Sequence, residues 1–408
     1  MSSDHDVLVT GIGATTPIGG TAPETWQAMI DGTIGVKSLL EPWAEKYELP
    51  VRIYAPLAVE PDQVLARVEA RRLDRCQQVA LVAAREAWAD AGAPELDPER
   101  LGVVVGTGIG GALTLLGQDD ILEQQGVRKV AVLTVPMLMP NGPAAAVGLW
   151  AKARGGVHAP VSACASGAEA LAWAFRMIKS GELDIAIAGG AEACVHPLPM
   201  AGFAQMRAMS TRNHDPLGAS RPFDIERDGF VLGEGAGIMV LERADHARAR
   251  GAKIYGRLAG IGMSNDAYHI TAPEPEGEGS ARAIAKALKS ADLTAADIGH
   301  VNAHATSTPV GDLAESNTIL RAIGDHPIVT ATKSMTGHML GAAGAVEGIA
   351  TVLAIKEGVI PGTRNLNKLD PEIKVDVAAE NRHVTLTAAL NDSFGFGGHN
   401  VALVFTGA

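Results

Sequence analysis

AGAPELDPERLGVVVGTG (91–108) and SADLTAADIGHVNAHA (290–305) are two versions of one pattern. Each carries a helix end, an acidic turn and a strand at a matching position. A second pair repeats the idea: AFRMIKSGELDIAI (174–187) and TVLAIKEGVI (351–360) are both helix ends with a lysine, a turn glycine and a following strand. Self-similarity at this distance predicts two similar α/β halves, 1–250 and 251–408. Around them, short apolar strands alternate with helical runs. Strands are expected at Val7–Gly11, Gly102–Val105 and Asp184–Ala188. A helix is expected at Gln77–Ala91, with Val79, Leu81, Val82 and Ala89 on one side. This alternation implies parallel βαβ units. Residues 112–150 and 195–230 read as excursions of the kind that cap sites or build subunit contacts.

Composition narrows the class. The 408 residues are 47% apolar and 4% aromatic, with 47 glycines, which suits a core of small side chains and close backbones. A net charge of −12 argues against a nucleic-acid binder, though a local basic patch can still meet an acidic partner. The three cysteines (Cys76, Cys164 and Cys194) argue against a disulfide framework and for a reducing compartment. The start, MSSDHDVLVTGIG, has no basic region followed by an apolar run, so no signal peptide is expected. No run of about 18 apolar residues points to a membrane span. No Cys/His set has zinc spacing, so no metal is expected.

Four motifs carry chemistry. PVSACASG (160–167) places Cys164 at or near the start of a long helix, where Leu171, Phe175 and Ile178 recur at helical spacing. A helix N-terminus lowers a thiol's pKa, and the small neighbours leave room for a substrate. Taken alone, Cys164 reads equally as a buried structural cysteine. VNAHATSTP (301–309) runs a buried-looking strand into His304, with Thr306 and Thr308 able to bond an amide-rich ligand arm. A satisfied core histidine is the other reading. TKSMTGH (332–338) ends a strand at Lys333 and precedes a small-residue helix containing Glu347. Both charges are costly in apolar surroundings unless paired, and pairing with each other is one solution. NDSFGFGGHN (391–400) packs three glycines into four positions, which allows a sharp excursion beside a ligand. Neither GFGG nor GTGIGG (106–111) is a complete phosphate or dinucleotide fingerprint, so a nucleotide cofactor is discounted.

In this order the motifs resemble the β-ketoacyl-acyl carrier protein synthases of the I/II type, over essentially the whole chain. KSMTGHMLGAAGAVE (333–347) is most similar to the synthase II branch. VSACASGAEA (161–170), PMLMPNGPAAAVGL (136–149) and GFGGHN (395–400) are similar to actinobacterial members, including those extending mycolic-acid precursors. The resemblance implies an α/β thiolase fold, two duplicated βαβαβαββ halves in a five-layer α-β-α-β-α arrangement, and a cytoplasmic homodimer without cofactor. It implies that Cys164 takes an acyl chain from acyl carrier protein, with the backbone N–H groups of Cys164 and Phe396 as oxyanion donors and Phe396 as a gate. His304 and His338 would stabilise the enolate formed as malonyl-carrier protein loses CO₂, supported by Lys333 and Glu347. Thr271, Thr306 and Thr308 resemble pantetheine contacts, and Ile109 and Phe203 tunnel-lining positions. Arg71, Arg72, Arg128, Lys129 and Arg207 resemble the positions that face the acidic carrier protein. Ala305 and His399 depart from the usual Gly and Thr. Among alternatives, a coenzyme A-dependent thiolase would need a late second cysteine, and nothing after Cys194 is one. A chain-length factor would lack the cysteine, and an initiating type III enzyme would carry Asn for His338. A polyketide or very-long-chain ketosynthase would use the same residues as a fatty-acid enzyme.

Overall fold

Strands covered on both faces must be apolar on both faces, and here they are. Along the strand Leu101–Gly106, Val103 and Val105 face one cluster of buried side chains and Val104 faces another. The computed structural model that shows this describes residues 5–408; the first four residues of the amino-terminal stretch read above lie outside the described residues.

The chain runs through one pattern twice. The first round is β1 (Val7–Thr15), helix Arg75–Asp90, β2 (Leu101–Gly106), helix Gly142–Ala151, β3 (Val157–His158), helix Ser166–Lys179, β4 (Ile185–Glu192) and β5 (Gly235–Arg243). The second is β6 (Gly256–Asn265), helix Glu278–Ala291, β7 (Ile298–Asn302), helix Pro309–Ala322, β8 (Ile328–Thr330), helix Ala343–Glu357, an added edge strand β9 (Asp376–Val377), β10 (Ala388–Gly395) and β11 (His399–Thr406). Spatial order is the same in both halves: β1-β5-β4-β2-β3 and β6-β11-β10-β7-β8. The halves meet where β1 and β6 pair antiparallel, with Val7 opposite Leu258, Leu8 opposite Arg257 and Val9 opposite Gly256.

Two helices, Ser166–Lys179 and Ala343–Glu357, lie between the half-sheets. Their Leu171, Ile178, Val346 and Val352 share one core with Met239 and Leu241 of β5 and Leu403 and Phe405 of β11. Helix Arg75–Asp90 covers the outer face of the first half and helix Glu278–Ala291 that of the second. The result is five layers. No helix among the described residues is long and apolar enough to cross a membrane.

Four sequence expectations shift. Ala89 is exposed; the buried stripe of its helix runs through Ala80, Ala83, Ala84 and Ala87. The reason is a close approach. A Cβ on Gly13 of β1 would stand 2.1 Å from the Ala83 carbonyl oxygen, and one on Gly262 of β6 would stand 1.9 Å from that of Ala283. Only alanines opposite glycines let helix and strand touch. The strand expected to end at Lys333 ends at Thr330, and Lys333 opens a short helix, Lys333–Thr336. Val359–Ile360, expected as the repeat of β4, pairs instead with Arg382–His383 in a separate ribbon, and β10 takes the equivalent place. Residues 112–150 hold three helices, the third being the sheet-covering Gly142–Ala151 of the repeat, so that stretch is not wholly an excursion.

Gly262→Ala is therefore expected to lower stability by roughly 1–3 kcal/mol through overpacking. Gly117→Ala, in a helix with nothing within 4 Å of the new Cβ, is expected to be neutral or stabilising by up to about 1 kcal/mol. Urea denaturation of both variants beside the parent checks the pair.

Candidate active site

The duplication places chemistry at the starts of the two central helices. Cys164 sits in the single turn Ala163–Ala165 leading into helix Ser166–Lys179. His338 stands before helix Ala343–Glu357, and His304 follows the end of β7. Phe396 is at the hairpin between β10 and β11, where Gly397 and Gly398 take φ of 91° and 74°. These are the left-handed values that the glycine cluster permits.

The four meet in one cleft of about 430 Å³, lined also by Phe203, Arg207, Thr271, Thr306 and Thr308. The Thr306 and Thr308 hydroxyls lie 3.2 Å apart, and Thr308 also caps helix Pro309–Ala322. Ile109 is not brought to the cleft. Its N–H turns in toward Glu192 while its side chain is 38% exposed on the loop after β2. Arg71, Arg72, Arg128, Lys129 and Arg207 are all exposed, but only Arg207 lines the cleft. His399 opens β11 opposite Gly395 and is not part of the lining. Ala305 is buried and outside the positive-φ region, so its Cβ meets no backbone penalty there.

Lys333 is 1% exposed and pairs with the buried Glu347 carboxylate. Its Nζ also lies 3.3 Å from His304 Nδ1. An ammonium has donors and no acceptor, so Nδ1 must accept and the His304 proton belongs on Nε2. Burial, the Lys333 charge and His338 hold His304 well below the usual imidazole range; burial and Lys333 do the same for His338. Both rings are therefore neutral, each with one N–H to offer. A run of edge-to-face rings fixes their planes: Phe203–Phe230 at 5.3 Å, Phe230–His338 at 5.4 Å, His338–His304 at 5.3 Å and His304–Phe394 at 5.7 Å.

The backbone of His304 is held as firmly as its ring. Its N–H donates to Glu315 Oε1 at 2.7 Å and Asp392 Oδ1 at 3.0 Å, and Ala305 N–H donates to Glu315 Oε2 at 2.6 Å. Two adjoining buried carboxylates cannot both stay ionised, and burial with the Asp392 charge pushes Glu315 upward. Asp392 belongs to the fourth motif, NDSFGFGGHN, in which the sequence alone marks no role for it. Glu315 is not legible in the chain, because nothing in the helical run GDLAESN marks a residue aimed at a distant backbone.

The Cys164 thiol departs from expectation. Burial pushes it up to about 12, against the pull of Lys333 and of its own backbone N–H. Loss of water costs the thiolate more than the helix start returns, so the resting group is a thiol. Gly395 passes so close that a Cβ there would stand 2.3 Å from the Ser162 carbonyl oxygen and 3.4 Å from the Cys164 nitrogen. The hairpin carrying Phe396 is thereby pressed against the backbone of Cys164.

Residues 4–247 match the Beta-ketoacyl synthase, N-terminal domain, and residues 255–367 match the Beta-ketoacyl synthase, C-terminal domain. The chain belongs to the beta-ketoacyl synthase family. The synthase is 50% identical over 402 residues to the 3-oxoacyl-[acyl-carrier-protein] synthase 2 of Mycobacterium tuberculosis, covering 98% of this chain and 96% of the relative. It is 44% identical to the synthase 2 of a Synechocystis strain, over 98% and 97% of the two chains. Its fold is that of a beta-ketoacyl synthase from Burkholderia phymatum (34% identity, TM-score 0.91, 99% of each chain). It is also that of a type II polyketide ketosynthase solved with its acyl-carrier protein and a hexaketide (31% identity, TM-score 0.91, 99% of each chain).

In protein carrying ¹⁵N-labelled histidine, His304 and His338 are expected to keep neutral-imidazole shifts from pH 8 down through 6.5, where an ordinary histidine gains its proton. His304 is expected to show the Nε2–H tautomer. The sign follows from the lowered values: protonation is deferred to lower pH. Either ring titrating at or above pH 6.5 contradicts the assignment.

Proposed function

We propose that this synthase elongates fatty acyl chains by decarboxylative Claisen condensation between an acyl-enzyme thioester and malonyl-acyl carrier protein. The observation that carries the proposal is one thiol and two neutral imidazoles in one cleft, with a buried Lys333–Glu347 pair behind them. Cys164 attacks the thioester carbon of an acyl-carrier protein. A carbon–sulfur bond to Cys164 forms, the bond to the carrier's sulfur breaks, and the thiol proton leaves with that sulfur. The N–H groups of Cys164 and Phe396 hold the oxyanion meanwhile; such donors are worth about 2.7–4 kcal/mol each when removed elsewhere.

Malonyl-carrier protein then enters. Its carbon–carboxylate bond breaks, CO₂ departs, and the electron pair moves onto the thioester oxygen. His304 and His338 donate to that enolate. Neutral rings suit the task because a second positive charge beside Lys333 is costly. The enolate carbon attacks acyl-Cys164, the chain grows by two carbons, and Cys164 leaves as a thiolate that takes a proton from water. Neither metal nor cofactor enters this sequence.

Thr271, Thr306 and Thr308 line the route a pantetheine arm would take, and Phe396 would gate the approach to the sulfur. Arg207 at the cleft, with Arg71, Arg72, Arg128 and Lys129, would meet the acidic carrier protein. Exposed Ile109 suits a place in a homodimer, the state we propose. The three free cysteines suit the reducing cytoplasm. The likeness to a polyketide ketosynthase supports a second reading, a polyketide or very-long-chain ketosynthase, with the same residues in the same roles. The synthase 2 relatives at 50% identity favour the fatty-acid reading.

With malonyl-carrier protein and a ladder of acyl-carrier proteins, two-carbon extension of ordinary fatty acyl chains is the expected outcome. Extension of only polyketide intermediates or very long chains favours the second reading. Cys164→Ala is expected to abolish condensation. Cys164→Gln is expected to abolish it yet still release CO₂ from malonyl-carrier protein, because the imidazoles remain. Condensation by Cys164→Ala overturns the proposal.

A further inference from the structure

One glycine-rich motif has no part in the chemistry above. GTGIGG (106–111) leaves β2 and turns beneath the nucleophile. A Cβ on Gly106 would stand 2.4 Å from the Ser166 carbonyl oxygen, and one on Gly108 would stand 3.3 Å from that of Ala163. The Ser166 hydroxyl bonds the Thr107 carbonyl at 3.1 Å. From the other side, the turn Leu340–Ala342 closes in: Cβ atoms on Gly167 and Gly190 would stand 2.6 and 2.1 Å from the Gly341 carbonyl oxygen. The segment 163–167 is thus gripped between two glycine turns. Ala163, just before the nucleophile, has a φ of 51°, a strained value that persists only where surroundings over-determine it.

A single side chain joins the two turns. Glu192, at the end of β4 and fully buried, accepts from Thr107 Oγ1 at 2.9 Å, Gly108 N at 2.7 Å, Ile109 N at 3.3 Å and Gly341 N at 3.2 Å. Three of the four donors are backbone N–H groups, two on each oxygen counting the hydroxyl. Burial pushes its carboxyl above the usual range while these four donors pull it down, and two donors on each oxygen are the surroundings of a carboxylate. No lysine or arginine pairs with it among the described residues. Resting on the reading of Cys164 as nucleophile, we propose that Glu192 is a positioning residue for Cys164: it ties the Thr107–Ile109 loop to Gly341 and so fixes both walls of the nucleophile's turn.

The clamp leaves an electrostatic signature. The ionisable groups acting on the thiol are Lys333, which favours the thiolate, and Glu192 and Glu347, which oppose it. The neutral rings of His304 and His338 and the buried thiol of Cys194 add no charge. Glu347 is offset by Lys333, whereas Glu192 has no cation to offset it. Burial is the main reason the sulfur stays protonated, and the Glu192 charge adds to it.

Iodoacetamide tests this on the intact protein, with the modified peptide mapped by mass spectrometry; Cys76 and Cys194 are sealed in the core, whereas Cys164 is half-buried and lines the cleft. At pH 8, Glu192→Gln is expected to raise the Cys164 alkylation rate about 10-fold, as removal of one nearby charge worth about one pKa unit requires. Glu192→Asp keeps the charge but not the reach. It is expected to alkylate within about 2-fold of the parent while condensation kcat falls at least about 10-fold. If the amide variant does not fold, Thr107→Val removes one donor and is expected to lower kcat without speeding alkylation. Parent-like alkylation in Glu192→Gln, faster alkylation in Glu192→Asp or Thr107→Val, or parent-like kcat in any of the three variants overturns the proposal. None of these outcomes touches the nucleophile's identity, which fails only if Cys164→Ala still condenses.

Discussion

A lysine side chain sealed inside a protein is the constraint around which this site is organised. Lys333 cannot stay buried without an anion, and Glu347 supplies it from the facing helix. The same ammonium then has a donor left for His304, which decides that ring's tautomer. It also disfavours protonation of both histidines and favours ionisation of the sulfur. One charge therefore prepares a nucleophile and two neutral donors together.

The duplication explains how four dispersed segments gather around that charge. Each half delivers a helix to the shared central layer, and each helix begins beside the same cleft. The first half uses its helix start for Cys164. The second uses the equivalent place for His338, the end of β7 for His304, and the β10–β11 hairpin for Phe396. Pairs of small residues let these backbones approach, as Gly13 on Ala83 and Gly262 on Ala283 do in the outer layers. The low aromatic content is the compositional trace of that packing. Two of the seven phenylalanines, Phe230 and Phe394, set the ring planes of the two histidines.

Much of this was legible in the chain. The paired segments 91–108 and 290–305 do fold alike, each a helix end, a short 3₁₀ turn and a strand. The four motifs do converge, because each sits at a strand or helix end, where a cleft can form. Contacts that depend on approach rather than residue type were not legible. Glu315 reaches back across 11 positions to the His304 backbone, and Glu192 joins a loop 84 positions earlier to a turn 149 positions later. Ile109, expected from its motif to line a tunnel, is outside the cleft lining of the single chain, with its N–H bonded to Glu192. The thiol was misjudged for a related reason: burial is a property of the assembled cleft, and no local motif reports it.

The central claim is that the growing chain is carried on Cys164. The direct measurement is intact-protein and peptide mass spectrometry after incubation with an acyl-carrier protein alone, before any malonyl partner is added. The account predicts one added acyl group, mapped to the peptide containing Cys164 and discharged when malonyl-carrier protein follows. No adduct, or one mapped to Cys76, Cys194 or a hydroxyl residue, contradicts it.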